Sequence, residues 1–372
     1  MRTAALALLT TVMACGTAPS HVSMRVSPSV SPVASAPRPN PATPSPVASA
    51  PRTNPATPSP SPKFGGLPLS NVTFSCRLPI SVGTADSAQG AFIEFPSGKV
   101  IPDPAAASAG SIIHQGTRLL GSLEVLYYDR AFSTWLPVAR NAVSPDGTHY
   151  AYTDRPTDQQ SGHGTLHVVS VQTGVDRTFD AGSWLTPYIV FDYSTEGIYL
   201  IIAYEGTFGL WLMNQTTGSV TKVADLPNIQ ASAGNKAFWV GSANPSDPNP
   251  LPGIGATPDQ IERFNLVDKS RQVWFYRPSS QVYVLGQDLA GHPIVVISGE
   301  SGEPTEFLFV IAPGSQQSIL KGNAGTLPSL AAPISDQHGT WFGSHDGIYL
   351  YTDAAGIRKV SNQAGYPANG CL

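Results

Sequence analysis

The sequence predicts an all-β fold, and three observations carry that prediction. The 309 positions from 64 to 372 hold many short runs rich in β-branched and aromatic residues, the runs are separated by glycine turns, and apolar residues almost never recur at helical spacing. The composition agrees. Charged residues make up only 12% of the 372, while Gly and Pro number 35 each, which excludes a long coiled coil. The formal net charge of -4 and the lack of any long basic run argue against a nucleic-acid partner. No apolar run reaches the ~18 to 20 residues of a membrane-spanning helix, so attachment to a membrane would have to come from the N-terminus.

The N-terminal residues read as an address. Met1 and Arg2 give a short positive region, residues 4–13 are apolar, and Val12-Met13-Ala14-Cys15 ends the stretch with a small residue before a cysteine. Residues 1–14 are therefore expected to be a signal peptide. The last four residues resemble a bacterial lipobox, which implies cleavage before Cys15 and a lipid on its thiol. Ordinary cleavage after Ala14 would instead release the chain as a secreted protein. Cysteine counting favours the lipid: of three cysteines in an exported chain, lipidation of Cys15 leaves Cys76 and Cys371 to pair as a disulfide in an oxidising compartment.

Residues 15–63 are expected to form a lipid-anchored, disordered linker. From 17 to 63 there is no acidic residue and no Phe, Trp or Tyr, and 13 of 47 positions are Pro, so the segment cannot bury enough apolar area to offset its ordering entropy. Residues 31–44 are repeated at 45–58 with one change, Pro39 to Thr53. Pro-rich chains favour extended polyproline II at ~3.1 Å per residue, giving a reach on the order of 100 Å. Residues 1–63 carry five basic residues and no carboxylate, which leaves 16 basic against 25 acidic residues, or -9, for the head.

Within the head, a repeating unit is legible. Five strands each follow a glycine (Gly147, Gly197, Gly234, Gly291 and Gly339), at 149–153, 198–203, 236–241, 293–298 and 340–344. A second strand follows in every unit, at 165–171, 210–214, 261–267, 307–311 and 348–352. A second turn and a third strand close it, at 175–179, 220–223, 272–276, 318–320 and 357–360. Units of ~40 to 50 residues with four short antiparallel strands are the blades of a β-propeller. Residues 64–141 are expected to supply one more blade, with strands at 77–82, 91–95, 123–128 and 134–138. That makes six four-stranded blades; a seventh would follow if Lys99 to Pro102 and its neighbours formed a separate sheet. Pairing of Cys76 with Cys371 would fasten the seam of the ring.

The most specific motif is Ser144-Pro145-Asp146-Gly147 followed by Thr148-His149-Tyr150-Ala151-Tyr152. Pro145 presets φ for a turn, Asp146 can hydrogen-bond to the backbone after it, and Gly147 takes a positive φ. This unit resembles the WD40-like (PD40) repeats of the TolB-type propellers of exported bacterial proteins. The resemblance implies the architecture of most of 143–360 and transfers no functional residue. The lipoprotein start with a Pro-rich stalk is similar to the layout of many exported bacterial proteins.

Candidate chemistry is sparse. His163 and His167 fall on one strand, where positions four apart stand ~13 Å from each other, too far for joint metal ligation. His149, His292 and His338 sit near equivalent turns in three units, as solvated turn residues or as members of one rim. Asp129-Arg130 with Trp135 reads either as a binding feature or as a hairpin held by a local salt bridge and a buried indole, and packing is the favoured reading. Gly299-Glu300-Ser301-Gly302-Glu303 lacks the Lys of a phosphate loop and reads as a hairpin. No nucleophile elbow is present, and neither a cofactor nor a metal is expected. The reading that follows is an extracytoplasmic propeller, held at the cell membrane through Cys15, that binds a protein, peptide or glycan. The alternative is a propeller enzyme of lyase, lactonase or glycosidase type with carboxylates and histidines converging on the central channel from several blades.

Overall fold

The computed structural model describes residues 67–84, 87–110, 126–154, 162–183, 188–203, 207–234, 236–247 and 257–372; the expected signal peptide and linker, with Cys15, lie outside the described residues. Six antiparallel blades form a propeller ring. Blade 1 holds β1 (Cys76–Thr84), β2 (Ser87–Phe95) and β3 (Lys99–Pro102). Blade 2 holds β6 (His149–Asp154), β7 (His163–Ser170) and β8 (Asp176–Ser183), with the bridge from Val143 to Tyr150 as its inner edge. Between them stands a hairpin of β4 (Tyr127–Asp129) and β5 (Thr134–Leu136). Blade 3 comprises β9 (Tyr188–Ser194), β10 (Gly197–Ala203), β11 (Thr207–Met213) and β12 (Val220–Pro227). Blade 4 comprises β13 (Ile229–Ser232), β14 (Ala237–Ser242), β15 (Gln260–Asn265) and β16 (Arg271–Tyr276).

Blade 5 comprises β17 (Gln281–Gln287), β18 (Pro293–Ser298), β19 (Pro304–Ala312) and β20 (Ser315–Lys321). Blade 6 comprises β21 (Ala331–Asp336), β22 (Gly339–Ser344), β23 (Gly347–Thr352) and β24 (Gly356–Ser361). The C-terminal β25 (Tyr366–Pro367) then pairs with β1, so the last strand of the chain becomes the inner edge of blade 1. All three strand sets expected in the five repeats fall on the observed second, third and fourth strands of blades 2 to 6.

Burial follows position in the blade. Every residue of β18 is buried, whereas the outer strands β8 and β20 are mostly exposed. The core is therefore a series of layers between neighbouring sheets. Val168, Val190, Ile198 and Met213 join blades 2 and 3, and Trp239, Val282, Val295 and Leu308 join blades 4 and 5. Leu78, Ile93, Trp341 and Leu350 join blades 6 and 1. At ~25 cal/mol per Å² of apolar surface, these layers are the main stabilising term of the ring.

Blade 1 departs from the expected assignment. Residues around 123–128 and 134–138 do not complete it; the described part forms the separate β4–β5 hairpin. Lys99–Pro102 is no separate sheet, because it pairs with β2 from Glu94↔Lys99 to Ala91↔Pro102. The physical reason is that both edges of the blade are already taken, the outer by β3 and the inner by β25. The hairpin instead packs its rings on blade 1, with Tyr128 5.2 Å and Trp135 5.7 Å from Phe92. Leu136 and Val138 carry the packing on into blade 2.

The disulfide forms between Cys76 and Cys371, with their Cα atoms 5.5 Å apart. Around it the C-terminal residues are hydrogen-bonded to three elements. Ala368 N–H donates to Pro79 O at 2.9 Å, Cys371 N–H donates to Asp336 Oδ2 at 2.7 Å, and Asn369 Nδ2 donates to Tyr128 O at 2.9 Å.

Candidate functional site

Inner strands of a propeller have a neighbour on one side only, so their free backbone groups face the axis and need other partners. Two side chains meet that need here. Asn141, in the 3-10 turn Arg140–Ala142, donates from Nδ2 to Phe191 O of β9 at 2.8 Å. Gln230 of β13 crosses to β17, where its Oε1 accepts from Val284 N–H at 2.8 Å and its Nε2 reaches Val282 O at 3.4 Å. Polar residues are thus required on strands whose other face is packed.

The cavity they border is the axial channel, about 480 Å³ in volume. Five consecutive blades send polar side chains to its wall: Asn141, Asp192, Gln230, Gln287 and Ser335, together with Ser232 and Asp288. Phe191, Val284, Leu285 and Pro333 provide apolar wall between them, and Arg140 also lines the cavity. Gln287 Oε1 is screened from solvent and has no hydrogen-bond partner among the described residues. Asp192 is hydrogen-bonded to Ser232. Burial pushes its carboxyl up to about 6, and the Ser232 hydrogen bond and the Arg140 charge only partly oppose that shift. The group consequently titrates near neutral pH.

Sequence reasoning missed all five wall residues, because the first strand of each unit was never placed. A signal was present. Counting back from the first-turn glycine of each unit, a polar residue recurs four to six positions upstream: Asn141 before Gly147, Asp192 before Gly197, Gln230 before Gly234, Gln287 before Gly291 and Ser335 before Gly339.

The residues singled out beforehand have other employment. His149, His292 and His338 do occupy equivalent first turns, but no hydrogen bond joins any two of them among the described residues. His149 Nδ1 bonds Thr148 Oγ1 at 2.8 Å. His292 is tied to Asp288 through both its N–H and Nδ1, each at 2.8 Å, within one turn. His338 donates its N–H to Asp336 and stacks on Phe74 at 4.0 Å. His163 pairs with Asp180 at 3.1 Å, while His167 stacks on Tyr152 and lies between Asp176 at 2.8 Å and Asp154 at 3.5 Å.

The salt bridge expected between Asp129 and Arg130 is not formed. Asp129 is buried and takes the Ala131 N–H at 2.8 Å, and burial raises its carboxyl above the usual range. Arg130 turns away to the Cys371 carbonyl, because the C-terminal residues cover the hairpin there. Trp135 is buried and donates to Asp103 Oδ2 at 2.9 Å. The Gly299 to Glu303 segment is a hairpin turn, closed by Gly302 N–H to Gly299 O at 3.0 Å.

No family model matches the chain, and no curated protein matches it in sequence. Among solved structures it is similar to β-propeller proteins. TolB from Acinetobacter baumannii is 12% identical with a TM-score of 0.40, the match covering 77% of this chain and 68% of that one. The β-propeller domain of the Trilobed protease from Pyrococcus furiosus is 10% identical with a TM-score of 0.41, over 81% and 86% of the two chains. A putative 6-phosphogluconolactonase from Bacteroides fragilis is 12% identical with a TM-score of 0.42, over 81% and 99%.

Proposed function

We propose that this protein is a binding module: an extracytoplasmic propeller, tethered to the cell membrane through a lipid on Cys15, that captures a protein, peptide or glycan at its axial channel. The observation that carries the reading is the ring of Asn141, Asp192, Gln230, Gln287 and Ser335, hydrogen-bonding side chains drawn from five blades around a cavity of about 480 Å³. Amides and a hydroxyl predominate in it. Such groups both donate and accept, which suits the uncharged polar groups of a peptide backbone or a sugar. The catalytic alternative calls for acid and base groups converging from several blades. The His–carboxylate pair nearest the channel is Asp288 with His292, both in a single turn, and His292 is not among the described residues that line the channel.

The test is capture by immobilised wild-type protein on peptide and glycan arrays, with Gln287→Leu and Asp192→Leu variants alongside. Retention of a defined ligand that both variants lose supports the reading. Retention that is indifferent to both substitutions removes the channel as the site.

A further inference from the structure

A second cavity, about 340 Å³, runs outward from the channel mouth between blades 5 and 6 and shares Asp288, Leu289 and Ser335 with the channel wall. Its chemistry differs from that of the channel. Asp288, in the first turn of blade 5, lines one side, and Asp353, in the last turn of blade 6, lines the other. No Lys or Arg is among the residues that line it. Asp288 is held in place by its own turn through His292, and Asp353 accepts from the Tyr351 hydroxyl, which in turn accepts from Gln317 Nε2 at 2.6 Å. These two carboxylates are thus oriented, with lone pairs to spare, while Asp336, the third that lines the cavity, is occupied by the Cys371 N–H and the Trp341 indole. The walls beside them are apolar and exposed: Leu289 is 70% and Ile311 37% accessible.

We propose that this groove binds a lysine- or arginine-bearing segment of a partner protein, with the charged head between Asp288 and Asp353 and the methylene stem along Leu289 and Ile311. A long basic side chain has that division, an aliphatic stem ending in a multidentate donor. A segment seated there leads directly to the channel mouth. An anionic partner is repelled, and a neutral glycan lacks the exposed aromatic faces it would stack on, since Phe309 and Tyr351 are 4% and 6% accessible. The proposal extends the binding reading to a contiguous site, and because its probe is synthetic, its failure is separable from failure of the channel to capture a ligand.

The experiment is fluorescence polarisation of the whole protein with labelled pentapeptides of glycine alternating with arginine, lysine, citrulline or glutamate. The arginine and lysine peptides should bind, the isosteric uncharged citrulline peptide about tenfold more weakly, the loss of one charge-assisted contact, and the glutamate peptide not at all. Asp353→Asn and Asp288→Asn should each cost about tenfold on the same grounds. Leu289→Ser sits on an exposed side chain that the fold does not need, and should weaken binding a few-fold. Glu300→Gln, at the opposite end of blade 5, should change nothing. Equal weakening by Glu300→Gln would reduce the effect to the diffuse acidity of the head, and citrulline binding as well as arginine, or no binding of either basic peptide, would overturn the proposal.

Discussion

Asp192 concentrates the consequences of placing a carboxyl on a propeller axis. Its folded-state value near 6 lies above the 3.8 of a free aspartate, so the native protein holds this proton more tightly than the unfolded chain. Its stabilising contribution is complete below pH ~4 and is lost as pH rises through about 6, on the order of 3 kcal/mol. Replacement by Asn should flatten that part of the profile, which urea unfolding at pH 4, 6 and 8 would reveal; an unchanged profile in the variant would place the titration elsewhere. Asp146 is the opposite case. Its Oδ1 accepts from Ser144 Oγ at 2.7 Å and from Thr148 N–H at 3.0 Å, and these donors hold the carboxyl down to about 2. Its contribution is therefore present above pH ~4 and is lost as pH falls toward 2, and it is small because the side chain is exposed. The neighbouring Gly147 has φ 72°, and an added Cβ would stand 2.9 Å from the Asp129 carboxylate oxygens. Gly147→Ala should thus cost about 1 to 3 kcal/mol, the sum of backbone strain and crowding, read as a lower denaturation midpoint at constant slope.

Elements show which parts of the fold local chemistry specifies. The second to fourth strands of five blades were legible because turns that need a positive φ mark them off, as at Gly174 (68°), Gly218 (73°) and Gly314 (75°), and because strands such as β18 are apolar throughout. The inner strands were not legible. Gln230 and Asn141 look like loop residues in the sequence, yet they satisfy the bare edges of β17 and β9, a role that exists only once the ring has closed. The same holds for the last strand: the two residues Tyr366–Pro367 carry no periodicity, and their partner β1 lies nearly the whole head away. Without that pairing in view, Tyr127–Asp129 and Thr134–Leu136 were the nearest strands with which to fill blade 1. The channel site was invisible for the reason that the inner strands were. Gln230→Leu tests the edge role directly: it leaves Val284 N–H, a buried residue's amide, without its partner and should cost about 1 to 3 kcal/mol. Gln230→Glu, which restores an acceptor, should recover part of the loss, whereas equal loss in both would mean that shape rather than hydrogen bonding holds β13 to β17.

At the scale of the molecule, the ring is closed by contacts between sequence-distant ends, and unfolding can begin wherever such a seam is weakest. This seam has three layers. β25 pairs with β1, Asp336 of blade 6 binds the Cys371 N–H as well as the Trp341 indole, and the covalent bond from Cys76 to Cys371 spans 295 residues. The hydrogen-bonded layers are short, two paired residues and a few hydrogen bonds, so the C-terminal segment can detach locally without the cross-link while the apolar layer of Leu78, Ile93, Trp341 and Leu350 still joins blades 6 and 1. A loop of that length confines the unfolded chain by up to roughly 5 kcal/mol, and native distortions reduce the figure. Reduction, or the double replacement Cys76→Ser with Cys371→Ser, should accordingly lower stability by about 2 to 5 kcal/mol in guanidinium titrations while leaving the far-ultraviolet spectrum of the folded state unchanged. Because the seam is where blade 1 meets blade 6, hydrogen exchange in the reduced protein should rise first at the amides of Ala368, Cys371 and Leu372, whose acceptors are Pro79, Asp336 and Arg77. Uniform acceleration over all six blades would instead show that the bond acts only through the unfolded ensemble, and that the hydrogen bonds of the C-terminal segment keep the ring shut on their own.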